Sequence, residues 1–232
     1  MLLELKGVNT YYGKSHVLRD VSLHIEQGEV VVLLGRNGAG RSTTLKTIMG
    51  IVPPGGGEIL FKGEKINGLD AFRIARKGMA YVPEERRIFG SLTVLDNLKM
   101  AMIYGKKGEW TIEKIYKALP RLEERKYQVA RGLSGGEKQM LTIARALVAN
   151  PDIVLLDEPL EGLSPIIAQS IEEIINEIKK SGQTILLVEQ NVRFALRVAN
   201  RGFILNDGHI VAEGAANELL ENSSLIKRYL AV

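Results

Sequence analysis

A glycine-spaced turn between an apolar run and a helical pattern constrains this chain more than any other stretch. Residues 30–34 are continuously apolar and mostly β-branched, which predicts a strand buried on both faces. The next ten residues, Gly35-Arg36-Asn37-Gly38-Ala39-Gly40-Arg41-Ser42-Thr43-Thr44, place bare backbone N–H groups where they can surround an anion. Residues 42–50 predict a helix whose first amides favour the same ligand. The order strand, loop, helix therefore predicts a phosphate-binding loop in an α/β fold with a mainly parallel sheet.

One position of this loop departs from the pattern of Gly, four residues, Gly, Lys, then Ser or Thr. Arg41 stands where Lys is expected, and its planar fork cannot reproduce a compact ammonium charge between phosphates. Ser42 supplies the hydroxyl for Mg²⁺. The alternative is a glycine-rich turn that binds no ligand. The nucleotide-binding residues predicted here are Gly35, Asn37, Gly38, Ala39, Gly40, Arg41, Ser42 and Thr43.

Two carboxylates follow a second buried strand, predicted over residues 153–156. A carboxylate at the tip of a parallel strand beside a phosphate loop can hold Mg²⁺ through water, so Asp157 is the predicted metal residue. Glu158 can accept a proton from water that attacks the outer phosphate. The alternative is a pair of solvated carboxylates at a strand end.

A third feature is the pair of glycines in Leu133-Ser134-Gly135-Gly136-Glu137, which precedes a strong helical pattern over residues 135–150. Ser134 stands at the predicted cap, and bare amides at such a helix start bind anions. An ordinary helix cap with a tight turn explains the same residues.

The remaining pattern predicts two further layers around this core. Alternating residues predict half-buried antiparallel strands before the phosphate loop, and a predicted break at residues 53–57 precedes another short strand. Helical spacing after the strand at 79–82 predicts a helical subdomain at roughly 88–150, inserted in a single domain of residues 1–232. The predicted strands are 2–5, 17–25, 58–63, 79–82, 184–188 and a hairpin at 202–211 turning at Asp207-Gly208; the predicted helices are 93–104, 111–127 interrupted near Pro120, 166–180 and 217–220.

The composition of the chain limits which ligands and sites it can contain. The chain has 232 residues, no cysteine and three histidines, which argues against disulfides and a zinc site. Its net charge of +4 suits a polyanionic small ligand or an anionic membrane as readily as nucleic acid. No apolar stretch approaches the roughly 20 residues of a membrane span, so we expect a cytoplasmic protein whose membrane role is peripheral.

These motifs, in this order and over the whole length, resemble the ATP-binding subunit of an ABC transporter. The three motifs are the phosphate loop, Leu133-Ser134-Gly135-Gly136-Glu137 and Leu156-Asp157-Glu158-Pro159. Three further stretches are similar to the subunits that drive uptake of branched-chain amino acids and related amides or urea: Val82-Pro83-Glu84-Glu85-Arg86-Arg87-Ile88-Phe89, Gly162-Leu163-Ser164-Pro165 and Leu187-Val188-Glu189-Gln190-Asn191.

The resemblance implies ATP and Mg²⁺ as cofactors and a head-to-tail pair of subunits. Ser134, Gly135, Gly136 and Glu137 would serve the nucleotide of the second subunit. Tyr12 matches the aromatic residue on which adenine stacks, although a strand-edge tyrosine is the alternative.

The resemblance also assigns a catalytic set. Glu158 would act with Gln190, in place of the usual switch His, and with Glu84, in place of the usual Gln that also meets the metal. These two replacements are typical of the amino-acid-importer subfamily, whereas Arg41 is not.

The implied partners are membrane-spanning permease subunits and, indirectly, a solute-binding protein outside the membrane, with no nucleic acid. The permease would contact residues 85–100 through Arg86, Arg87, Ile88, Phe89, Leu92 and Val94; a solvated loop with a buried helix start is the alternative.

The leading hypothesis is an ATPase that energises an importer. The second is a weakly hydrolysing or regulatory nucleotide-binding subunit, because of Arg41. A soluble ABC ATPase of repair or translation is disfavoured, since no fused second cassette or long insertion is visible.

Overall fold

The computed structural model describes residues 1–230, which form two sheets with helices packed around them. The strands are β1 (Leu3–Tyr12), β2 (Ser15–Ile25), β3 (Val30–Leu34), β4 (Pro54–Phe61), β5 (Glu64–Lys65), β6 (Met79–Val82), β7 (Ile153–Asp157), β8 (Thr184–Glu189), β9 (Arg201–Asn206) and β10 (His209–Ala215). The helices are α1 (Arg41–Ile48), α2 (Ala71–Arg76), α3 (Val94–Met102), α4 (Ile112–Ala118), α5 (Pro120–Glu124), α6 (Gly135–Val148), α7 (Pro165–Lys180), α8 (Val192–Val198), α9 (Ala216–Glu221) and α10 (Ser223–Tyr229).

The central sheet has six strands in the order β10-β9-β3-β8-β7-β6. All neighbours from β9 to β6 are parallel, and only β10 runs antiparallel to β9. Every residue of β3, β7 and β8 is buried, because helices and the second sheet cover both faces. The predicted mainly parallel α/β core is confirmed. Strand β8 lies between β3 and β7, so the loops that follow β3 and β7 leave the same edge of the sheet.

The predicted N-terminal antiparallel layer is also present, with strand order β2-β1-β4-β5. The predicted break at residues 53–57 is wrong, because β4 begins at Pro54, and Pro54 and Gly56 lie opposite Thr10 and Asn9 of β1. A Cβ at Gly57 would lie 2.2 Å from the carbonyl oxygen of Gly7, and Gly57 has a φ of 80°. The glycines therefore let two backbones approach at an irregularity in the register, where any side chain would clash.

A helical region built from α3, α4, α5 and α6 joins β6 to β7. The predicted helix over 111–127 is two helices, divided at Leu119 and Pro120. Proline has no N–H to donate and restricts the residue before it, which explains the predicted interruption. Buried Leu98, Leu122 and Leu141 belong to one apolar cluster, which joins this region to the central sheet.

The C-terminal hairpin of β9 and β10 turns at the predicted residues. Asp207 and Gly208 have φ values of 47° and 81°, and positive values at both central residues suit the twist of a two-residue hairpin turn. Helices α2, α8 and α10 are absent from the prediction, since six or seven residues are too few for a clear helical period. Within residues 1–230, no helix combines the length and apolar character needed to cross a membrane.

Candidate functional site

The loop after β3 is shaped by glycines at positions where a side chain would be strained or would clash. Gly38 and Gly40 have φ values of 80° and 109°. A Cβ at Gly35 would lie 2.4 Å from the carbonyl oxygen of Leu205. Gly40 caps α1 without any side-chain hydrogen bond to the first amides of the helix. The start of α1 therefore offers free N–H groups to an anion, as the phosphate-loop prediction requires.

Arg41 turns back into this loop. Its guanidinium donates to the carbonyl oxygen of Gly35, to Oδ1 of Asn37 at 3.2 Å and to Oε1 of Glu158 at 2.5 Å. The side chains of Arg41 and Glu158 are 4% and 11% exposed. The cation of the loop and the predicted general base are thus each other's charge partner, a contact that the sequence does not reveal.

Ser42 and Asp157 meet beside this ion pair. The Ser42 hydroxyl donates to Oδ1 of Asp157 at 2.8 Å, and the Tyr81 hydroxyl donates to Oδ2 at 2.8 Å. Burial raises the pKa of Asp157 above its ordinary value, against the effect of these two hydrogen bonds. The sequence prediction misses Tyr81, whose position beside Asp157 depends on the pairing of β6 with β7.

The donors at Ser42 and Asp157 fit Mg²⁺. Magnesium prefers oxygen ligands and usually takes one or two from the protein, with water and phosphate oxygens completing its octahedron. In the part of the chain that the structure describes, no cluster of three or more His, Cys, Asp or Glu side chains forms a metal site by itself. This agrees with a site in which the Ser42 hydroxyl and the Asp157 carboxylate supply two ligands and phosphate oxygens are needed to complete the coordination.

Glu84, the third predicted metal residue, is not bonded to that pair. It is exposed just after β6, and among the described residues it makes no hydrogen bond to Ser42 or Asp157. Its charge does act on Glu161, whose pKa is raised by a hydrogen bond to Glu158, by burial and by the charges of Glu84 and Glu158. The catalytic and metal roles of Glu84 stay predictions.

Gln190 is exposed at the end of β8. Together with Glu158 and Glu161 it lines a cavity of about 810 Å³, so the structure brings the predicted switch residue to the predicted base. The sequence prediction assigns no role to Glu189, the buried residue next to it.

The Ser134 to Glu137 segment lies elsewhere. The Glu137 amide donates to Ser134 Oγ at 3.3 Å and the Ser134 amide to Glu137 Oε2 at 2.8 Å, so the two residues form a reciprocal cap of α6. Ser134 and Gly135 are exposed, and within residues 1–230 no hydrogen bond or ion pair joins this segment to residues 35–43. The ordinary-cap explanation is correct locally, and this part of the chain does not reach its own phosphate loop.

Tyr12 ends β1 with 48% of its surface exposed. It lies on a groove of about 1030 Å³ that also contains Lys46 of α1, so its ring is free to stack. Its role in adenine binding stays a prediction.

The predicted permease contact at 85–100 is partly wrong. Val94 is fully buried because it opens α3 against the core, so it is unable to receive a partner. Arg86 donates to the carbonyl oxygen of Glu161. Phe89 and Met100 are 45% and 42% exposed, and these apolar side chains remain accessible.

A glycine-rich loop at the start of a helix, with a serine hydroxyl on a strand-end aspartate and a glutamate next to it, defines a P-loop nucleoside triphosphatase. The sequence profile of the ABC transporter family matches residues 18–161, more than half of the chain. The chain therefore belongs to the ABC transporter family, as its ATP-binding, transport-coupled ATPase domain. The family resemblance and the ATPase activity predicted from the motifs are confirmed.

Individual relatives cover nearly the whole chain. The high-affinity branched-chain amino acid transport ATP-binding protein BraG of Pseudomonas aeruginosa is 45% identical over 231 residues, which are 99% of each chain. The lipopolysaccharide export system ATP-binding protein LptB of Escherichia coli is 38% identical over 98% of this chain and 96% of its own. A solved dimeric ATP-binding cassette, bound to ADP and phosphate in a post-hydrolysis state, superimposes with a TM-score of 0.81 at 29% identity, over 93% of this chain and 99% of its own.

Proposed function

We propose that this chain is the ATP-hydrolysing subunit of an importer for branched-chain amino acids or related solutes. One observation carries the ATPase part: Arg41 and Ser42 of the loop after β3 bond directly to Glu158 and Asp157 after β7. The solute rests on the 45% identity to the branched-chain amino acid relative, against 38% for the lipopolysaccharide export protein.

Each residue at this edge of the sheet has a chemical task. The free amides of α1 and the charge of Arg41 bind the phosphates, while Ser42 and Asp157 hold Mg²⁺, which neutralises phosphate charge. Glu158 takes the proton of the attacking water. Gln190 donates a hydrogen bond to a phosphate oxygen but supplies no positive charge.

This assignment requires an exchange of partners. Nη2 of Arg41 donates to Glu158, so this hydrogen bond breaks when the guanidinium turns that nitrogen to a phosphate. Phosphate binding therefore competes with Glu158 for Arg41, and it releases the carboxylate that acts as base.

The second half of each nucleotide site comes from another subunit in this proposal. Ser134 to Glu137 would face the phosphate loop of the partner in a head-to-tail dimer. The exposed cap of α6 and its separation from residues 35–43 support this. Residues 1–232 would act as one cassette with the helical subdomain, roughly 88–150, inserted in it.

The part of the Tyr12 groove that is lined by Phe72, Tyr104 and Arg145 is the proposed permease surface, which would keep the chain at the inner face of the membrane as a peripheral subunit. Phe72 and Tyr104 on this groove are 55% and 74% exposed. The guanidinium of Arg145 lies 4.4 Å from the ring centre of Phe89 at the same place. Exposed rings beside cations suit an amphipathic segment of a partner.

The catalytic proposal is tested by Glu158→Gln in the purified chain. We expect steady-state ATP hydrolysis to fall at least 100-fold with ATP binding retained, because the amide does not accept the proton. Glu173→Gln, on the exposed surface of α7, is the matched control and should hydrolyse ATP like the wild type. Equal rates in Glu158→Gln and wild type would remove Glu158 from the mechanism.

The solute is tested separately, by uptake of labelled leucine, isoleucine or valine in cells with and without the gene for this chain. Loss of uptake that the wild type restores, and Glu158→Gln does not, is the expected result. Unchanged uptake without the chain would overturn the importer assignment and leave the ATPase assignment standing.

A further inference from the structure

Glu189 is a buried carboxylate to which the catalytic assignment gives no task. It ends β8 between Val188 and Gln190, and its residue is 3% exposed. Buried carboxylates are rare unless they are paired or hydrogen-bonded. Among the described residues Glu189 has no cationic partner, so its hydrogen bonds must explain its presence.

Those hydrogen bonds reach two different loops. Oε1 accepts from the amide of Leu160 at 3.2 Å, in the turn that follows Glu158. Oε2 accepts from the amides of Gln190 at 3.1 Å and Asn191 at 3.2 Å, which precede α8. One carboxylate therefore ties the loop of the predicted base to the loop of the predicted switch residue.

The loop after β7 needs such an acceptor. Glu158 leaves β7 with a φ of 44°, and its amide donates to the carbonyl oxygen of Val188 at 2.9 Å. The chain then turns tightly, with the amide of Glu161 bonded to the carbonyl of Glu158 and that of Leu163 to Leu160. These turns leave the amide of Leu160 without a backbone acceptor, and Glu189 provides one.

We propose that Glu189 is a positioning residue, whose two carboxylate oxygens fix the loop of Glu158 relative to the loop of Gln190. This inference rests on the proposed catalytic roles of those two residues. Glu189 lines the same cavity as these two residues, but both of its oxygens are engaged by backbone amides, so it acts through the two loops and not on the reacting atoms. Because both oxygens accept, an uncharged amide cannot replace the carboxylate without turning an NH₂ group toward backbone donors.

The protonation state of Glu189 bears on the same geometry. Burial, with the charge of Glu158, raises its pKa to about 7, in spite of its three hydrogen bonds. Below that pH the added proton turns one acceptor into a donor, and above it both oxygens accept. The other charged groups that line this cavity are Glu158 and Glu161 from the loop after β7, Arg193 from α8 and Lys227 from α10.

The test compares Glu189→Gln with wild type in steady-state ATP hydrolysis from pH 6 to 8.5 (a range set to bracket a pKa of about 7). In the wild type we expect kcat to rise through neutral pH, because ionised Glu189 accepts with both oxygens. In Glu189→Gln we expect this rise to disappear, kcat to fall by about tenfold and KM for ATP to stay within about twofold. Glu29→Gln is the matched control, because that carboxylate is also largely covered but pairs with Arg201 at the opposite edge of the sheet. It should keep the kcat and the pH profile of the wild type.

A second readout does not depend on activity. Hydrogen exchange at residues 158–163 and at 190–193 should accelerate together in Glu189→Gln, since one side chain protects both segments. Exchange that stays slow in either segment would overturn the link. A kcat within twofold of wild type would overturn the positioning role. Wild-type protein without ATPase activity would instead count against the proposed function, while the exchange result would still decide whether the two loops are joined.

Should Glu189→Gln fail to fold, Glu189→Asp keeps the charge but shortens the reach by one methylene. It should fold and show the same loss of kcat, because one shorter carboxylate does not span both loops. Wild-type kinetics in Glu189→Asp would contradict the proposal.

Discussion

Two helices of this molecule begin with glycine-rich turns that suit an anion, yet they begin in opposite ways. Helix α1 follows Gly40 and has no side-chain cap, and the charge beside it, Arg41, is 4% exposed and bound within the loop. Helix α6 follows Ser134, whose reciprocal cap with Glu137 satisfies part of its own start, and this turn faces solvent. The first start is covered by residues of its own chain, and the second is exposed to solvent.

The difference shows what each turn needs in order to function. The α1 turn is completed by residues 115 or more positions away, because Glu158 and Asp157 reach it from β7. The α6 turn is completed locally and makes no such contact within the described residues. In our proposal, the α1 turn therefore depends on the fold and the α6 turn depends on the dimer.

Mixing two inactive variants tests this distinction with the largest expected effect. Glu158→Gln damages the α1 side and Ser134→Arg damages the α6 side, so each protein alone should lose most of its ATPase activity. In a head-to-tail mixed dimer both defects fall in one site and the other site is intact, so an equimolar mixture should regain about a quarter of wild-type activity. ATP hydrolysis by the mixture, after exchange of subunits, measures this.

Two controls accompany the mixture. When Glu158→Gln is mixed with wild type, ATP hydrolysis should come only from wild-type dimers and from the one intact site of each mixed dimer. A mixture of the two inactive variants that stays inactive would mean that the α6 turn does not serve the site of a partner.

Arg41→Lys tests the α1 side with a smaller expected effect. Lysine keeps the charge but cannot make the same fork of hydrogen bonds to Gly35, Asn37 and Glu158, so Glu158 is released more easily. A single hydrogen bond contributes about 1 kcal/mol, so we expect kcat to rise by about fivefold. Steady-state kinetics and an ATP titration with and without Mg²⁺ provide the measurement.

The matched control for this variant is Arg36→Lys, the same substitution at an exposed position of the same loop. It should leave hydrolysis unchanged. A fall of kcat in Arg41→Lys would show that the guanidinium is itself adapted to the phosphates, and would contradict the competition between Glu158 and phosphate for Arg41.

Ser134→Ala has the smallest expected effect. It distinguishes the role of Ser134 as a helix cap from its proposed role in ATP hydrolysis. Loss of an N-cap hydroxyl destabilises a protein by about 1 kcal/mol, which lowers Tm by roughly 2–4 °C in a chain of this size. Thr111→Ala removes the equivalent cap of α4, where Thr111 accepts from the Lys114 amide at 3.2 Å. Both variants should lose similar stability in thermal unfolding, whereas only Ser134→Ala should also lose ATPase activity. Equal activity in the two would make Ser134 an ordinary cap.

Prediction from sequence worked where the signal was local. Continuous apolar runs placed β3, β7 and β8, the interruption at Pro120 divided α4 from α5, and Asp207-Gly208 turned the last hairpin. It failed where the structure depends on a distant neighbour. The stretch Pro53 to Gly57 indicates a break when taken alone, but residues 54–57 form part of β4 because β1 supplies the partner strand.

The nucleotide site divides in the same way. Motif spacing predicted the loop, Asp157, Glu158 and the Ser134 turn, because each of them is a pattern of consecutive residues. The structure brings the loop, Asp157 and Glu158 together, and the role of the Ser134 turn stays a prediction. Motif spacing missed Tyr81 and gave Glu189 no role, although both bond directly to the loops or carboxylates of the predicted site. A strand-end tyrosine or glutamate carries no local signal that distinguishes it from a core or surface residue.

The sequence by itself determined the class of this protein, because phosphate binding by backbone amides demands glycines at fixed spacing and a parallel core demands continuous apolar strands. Only the tertiary structure decided which side chains and backbone amides form hydrogen bonds at the edge of the sheet. The bonds of Arg41 to Glu158 and of Glu189 to two loops follow from β8 lying between β3 and β7, an order that no local pattern encodes. Hydrogen bonds and charge pairs act over a few ångströms in space, whatever the separation along the chain.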